Sequence, residues 1–139
     1  MKDHSLQETD MSQSKSVLLV GLQPDLINYS EPDYAAFPGM DASKVQAALD
    51  ADVVSLNLVG YDAQLCLTDF GETAEATVAA ALEKKAYACV LIGAGVRTIG
   101  KNFLLFEKLI NVVHQKAPQA KICFNTKPND SMAAVQRWI

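Results

Sequence analysis

The chain has 139 residues, half of them apolar and a fifth charged, with a formal net charge of −4. That size and balance fit one globular domain able to bury its own core. They exclude a membrane-spanning helix, for which no run of about 18 apolar residues exists, and the scattered basic residues leave no electrostatic footprint for nucleic acid.

The opening MKDHSLQETDMSQSKS is polar and aperiodic and lacks an apolar leader core. Residues 1–15 are therefore expected to be a disordered tail on a cytoplasmic protein, with a single domain over 16–139. Ser16-Val17-Leu18-Leu19-Val20 is a short apolar run ending at Gly21, the signature of a strand buried on both faces. The next twenty residues, Gly21 to Met40, read GLQPDLINYSEPDYAAFPGM, with three prolines, three aromatics and three acids. Connections in α/β proteins usually take about two to six residues, so the length of 21–40 predicts a lid over a site. Its Tyr29, Tyr34 and Phe37 would cover a planar ligand, grip a partner or pin the loop to the surface.

Asp41 is a plausible N-cap for a helix through Val59, with Val45, Ala48, Leu49, Val53, Leu56 and Val59 on its apolar side and Gly60 as the stop. The β-branched Val53-Val54 leaves a strand over 53–59 as a rival reading. Tyr61 to Thr68 alternates: Tyr61, Ala63, Leu65 and Leu67 take one face, and Asp62, Gln64, Cys66 and Thr68 a wetter one. That pattern predicts an edge strand. Asp69 and Glu72 form a capping-box pattern opening a helix through Lys85.

Tyr87 to Ile92 is a second continuous apolar run and the expected central strand, followed by Gly93-Ala94-Gly95-Val96-Arg97. Asn102 is expected to cap a helix whose Phe103, Phe106, Leu109, Ile110 and Val113 face the sheet, ended by Lys116 and Pro118. Ala120 to Asn125 is the fourth strand, and Asp130 precedes a short last helix bearing Met132, Val135 and Trp138. The order βαβαβαβα predicts a parallel sheet with right-handed crossovers and helices on both faces. Cys66, Cys89 and Cys123 each fall in an apolar run without C-x-x-C or Cys/His spacing. They are expected to be reduced, buried thiols, with no metal site.

The spacing of these strands, the stretch GYDAQLCLTDFGETAEATVAAALEKKAYACVLIG and the stretch FEKLINVVHQKAPQAKICFNT resemble the receiver domains of two-component response regulators. The resemblance spans 16–138 apart from the lid. It implies a flavodoxin-like three-layer α/β/α sandwich with a parallel sheet of about four strands in the order 2-1-3-4. The receiver's chemistry does not carry over. Gly21 and Leu22 stand where receivers place the acidic pair that binds Mg²⁺, and Gly93 stands at the phospho-accepting aspartate. No residues up to Ile139 supply the fifth strand with its lysine, and Thr126 alone matches the hydroxyl residue after strand 4. The resemblance therefore implies a pseudo-receiver that takes no phosphoryl group.

In that strand order a ligand would sit beyond the carboxyl ends of strands 1 and 3. Gly21 and Gln23 on one side and Gly93 and Gly95 on the other are candidate ligand-binding residues, although turn geometry explains the glycines equally. Arg97 and Lys101 would receive a small anion, or else pair with the lid acids Asp25, Glu31 or Asp33. Asn125 and Thr126 extend the polar rim.

Catalytic machinery is thin. His4 lies in the tail, His114 suits a helix C-terminus, and only Asp25 and Thr126 offer themselves for proton transfer. The readings left open are a binding or regulatory module for a partner protein or small anionic ligand, a small enzyme acting on an anion in the same crevice, and a flavin or nucleotide binder. GAGVRTIG departs from the dinucleotide fingerprint. An uncovered fourth strand and the apolar Trp138–Ile139 tip raise the prospect of a homo-oligomer.

Overall fold

A computed structural model describes residues 15–35 and 37–139; the expected tail therefore falls, but for Lys15, outside the described residues. Strand β1 (Ser16–Leu22) lies between β2 (Asp62–Thr68) and β3 (Cys89–Ile92), and β4 (Lys121–Phe124) pairs with the far side of β3. All pairs are parallel and the order is β2-β1-β3-β4. Helices flank both faces, so the chain is an α/β, flavodoxin-like three-layer sandwich. The helices are α1 (Ala42–Leu58), α2 (Ala74–Lys84), the short α3 (Ala94–Arg97), α4 (Phe103–Lys116) and α5 (Ser131–Gln136).

The continuous apolar runs serve two cores at once, because successive side chains of a strand point to opposite faces. Leu18, Val20, Leu22, Val90 and Ile92 pack with Val78 and Leu82 of α2 and Leu105, Leu109 and Val113 of α4. Val17, Leu19, Leu91 and Cys123 pack on the other face with Leu56 of α1 and Ala134 and Val135 of α5. Cys66, Cys89 and Cys123 are buried and free of disulfides. Cys89 and Cys123, distant in sequence, bring their sulfurs to 3.4 Å on neighbouring strands. Among the described residues no helix is long and apolar enough to cross a membrane.

The 53–59 ambiguity resolves as helix. The Asp41 carboxylate accepts the Lys44 N–H at 2.9 Å, and Gly60 ends the helix at φ 101°. Several local details differ from expectation. The capping box at Asp69 does not form: that carboxylate accepts the N–H groups of Gly71 and Thr73 and the Thr73 hydroxyl, and α2 starts only at Ala74. Asn102 caps nothing with its side chain, which donates instead to the Gly95 carbonyl at 3.1 Å. Phe103 is exposed while Leu105 and Val112 are buried. The buried stripe of α4 begins at Leu105, within its first turn. The wetter face of β2 is wet only at its start, since Cys66 and Thr68 are buried.

Candidate functional site

Beyond the carboxyl ends of β1 and β3, where the sheet order reverses, lies a cavity of about 170 Å³. Its apolar base comes from three strands in register: Leu19 of β1 stands opposite Leu65 of β2 and Leu91 of β3. One wall is the α1 face carrying Val45, Leu49 and Asp52, spaced four and three residues apart as one side of a helix requires. Residues 93–96 after β3, with Thr98 and Ile99, and Asn125, Thr126, Lys127 and Ser131 after β4 close the opposite side. Ile27, Tyr29, Tyr34, Phe37 and Met40 line it from the long connection.

That connection is a built roof. Pro24 and Pro32 each open a 3₁₀ turn, Pro24–Leu26 and Pro32–Tyr34, positions where a fixed φ and a missing N–H carry no penalty. The Tyr29 hydroxyl donates to the Pro24 carbonyl at 2.8 Å, and the Tyr29 and Tyr34 rings meet at 5.6 Å and 60°. Glu31 and Lys101 join the roof to the turn before α4 by an ion pair. Phe37 remains half exposed at the rim.

Polar groups on this largely apolar surface are few and connected. The Ala94 N–H donates to Asn125 Oδ1 at 2.8 Å, Asn125 Nδ2 donates to Ser131 Oγ at 2.9 Å, and Ser131 Oγ donates to Asp52 Oδ2 at 2.6 Å. Every donor in the chain points toward one carboxylate. Burial raises the Asp52 pKa above the ordinary carboxylate value; the Ser131 hydrogen bond opposes that shift and the Asp130 charge adds to it. Asp52 Oδ1 receives no donor among the described residues. The Tyr34 hydroxyl is buried and also has no partner among them, a condition that costs about 1–3 kcal/mol while it lasts. Burial pushes the Tyr34 phenol up as well.

Of the residues singled out from sequence, Gly21, Gly93, Gly95, Asn125 and Thr126 line the cavity, and Gln23, Asp25, Arg97 and Lys101 do not. Gly21 is not a corner, because β1 continues through it to Leu22 and pairs it with Leu67. Gly93 matters for close approach: a Cβ there would lie 3.4 Å from the Val20 carbonyl oxygen. Gln23 is exposed, its N–H bonded to the Thr68 carbonyl at 2.8 Å. Asp25 is exposed in the first 3₁₀ turn. Both expected anion-binding cations are engaged elsewhere, Lys101 by Glu31 and Arg97 by the Asn125 carbonyl at 2.9 Å with its guanidinium 5.7 Å from the Phe124 ring. Thr126 is exposed and held by the Asp130 carboxylate through its N–H and hydroxyl.

Sequence reasoning missed Asp52 and Ser131. An acid seven residues after Val45, on a helix face otherwise carrying Val45, Leu49, Val53 and Leu56, was the available signal. Ser131 had none, since its partner is 79 positions away. At the strand ends Gly21, Leu22 and Gly93 offer no carboxylate, and among the described residues no group of three or more His, Cys, Asp or Glu gathers as metal ligands would. Comparison of the chain with protein-family models, with curated proteins and with solved structures finds no match.

Proposed function

We propose that this domain is a receiver-like binding module that takes no phosphoryl group and holds a small ligand with an apolar body beneath the 23–40 roof. The observation that carries the reading is the cavity at the topological switch point, where open parallel sheets place their ligands. Its volume of about 170 Å³ is close to that of an apolar protein cavity of about 150 Å³ known to take benzene. A single ring with a short substituent therefore matches the space. The roof contributes Tyr29, Tyr34 and Phe37, aromatic faces suited to such a ring.

Neutral single-ring compounds test it. Benzene or toluene at about a hundredfold excess over its dissociation constant should stabilise the fold by about 2.7 kcal/mol, a thermal shift of several degrees. Leu65→Trp, which puts an indole into the same space, should abolish the shift. Stabilisation that survives in Leu65→Trp, or none with any ring compound, would overturn the reading.

A further inference from the structure

We infer that the cavity selects a cationic head group: a small ligand with a protonated amine bound to Asp52 and a single ring lying over Leu19, Leu65 and Leu91. This rests on the ligand-binding reading above and names the ligand's chemistry. Asp52 is the only acid in the cavity wall among the described residues, and it sits on the same α1 face as Val45 and Leu49. An acceptor-only carboxylate has room for several donors, yet here it receives one, from Ser131. The chain from Ala94 N–H through Asn125 and Ser131 is oriented with every hydrogen toward that carboxylate. Ser131 and Asn125 are themselves buried, so the arrangement is fixed before any ligand arrives. It leaves one carboxylate oxygen, Oδ1, unmatched among the described residues.

A half-buried carboxylate without a counter-charge is unfavourable, and a bound ammonium supplies the charge and several donors together. Lys127 also lines the cavity, but it is exposed and forms no ion pair with Asp52 among the described residues. The other charged neighbour on that side, Asp130, is engaged by Thr126 and Lys127 N–H groups and adds negative charge. The Tyr34 hydroxyl, buried and unpartnered among the described residues, offers a second polar contact on the roof side.

Three compounds of one shape decide the matter: benzylamine, benzyl alcohol and benzoate, titrated into the full chain near neutral pH by calorimetry. Benzylamine should bind at least tenfold more tightly than benzyl alcohol, and benzoate most weakly. Asp52→Asn should bring the amine down to the alcohol while leaving the alcohol unchanged. Ser131→Ala, which keeps the carboxylate, should retain the amine preference, and far-UV circular dichroism checks that both variants fold. Equal binding of amine and alcohol, or a benzoate preference indicating that Lys127 dominates, would overturn the head-group assignment while leaving the cavity reading intact. Failure of all three ligands, alcohol included, would overturn both.

Discussion

Asp52 and its chain of donors make the clearest residue-scale statement in this molecule. Burial raises its pKa, so the folded state holds the Asp52 proton more tightly than the unfolded chain does. The sign follows by linkage: this group favours folding most at low pH, and the contribution falls away as pH rises from the ordinary carboxylate value of 3.8 through the folded value. Asp52→Asn should therefore gain stability relative to the parent as pH rises across that window, read as urea midpoints at a series of pH values. A gap between the two proteins that does not vary with pH would contradict this. Asn125 carries two hydrogen bonds at once, from the Ala94 N–H and to Ser131. Asn125→Ala leaves the part-buried Ala94 N–H without its acceptor and should cost about 1–3 kcal/mol by urea denaturation. A loss much smaller than that would mean water replaces the amide freely.

At the scale of elements, the roof and the helix ends divide what sequence makes legible from what it does not. The roof was readable because prolines, aromatics and acids at Gly21–Met40 interrupt two strongly patterned segments. Its two 3₁₀ turns follow from Pro24 and Pro32. The Glu31–Lys101 tie was one of several pairings the charges allowed, and only the folded chain chooses among them. That tie is solvent-exposed and should matter for opening rather than for global stability. Lys101→Met should speed amide exchange at 26–35 and leave the unfolding midpoint nearly unchanged, and high salt should act in the same direction on the parent. Unaltered exchange in the variant would show that the aromatic contacts alone hold the roof. The register of α4 was the harder problem. Phe103 fits the spacing of Phe106, Leu109, Ile110 and Val113 as well as Leu105 and Val112 do, yet Phe103 is exposed while Leu105, Leu109, Val112 and Val113 are buried.

For the molecule as a whole, the parallel α/β layering was legible because short apolar runs alternate with helices, and the resemblance to receivers supplied the order 2-1-3-4 that the sheet adopts. The cavity lies where that order reverses, between β1 and β3. The polar chain on its wall was not legible, because Asp52 and Ser131 lie 79 positions apart and meet only when α1 and α5 cover the same face. With glycine or leucine, and no carboxylate, at the ends of β1 and β3, incubation with acetyl phosphate and Mg²⁺ should leave the intact mass unchanged. A base-labile added phosphate would contradict the non-phosphorylatable reading.

The most direct test is methyl-resolved NMR of the full chain titrated with benzyl alcohol. A ligand seated under the roof should shift the methyl groups of Leu19, Leu65, Leu91 and Met40 together with one saturation curve, and leave Leu58 and Leu104, exposed on the outer surface, unmoved. Shifts scattered over the exposed leucines, or none at the strand ends, would contradict a ligand cavity between β1 and β3.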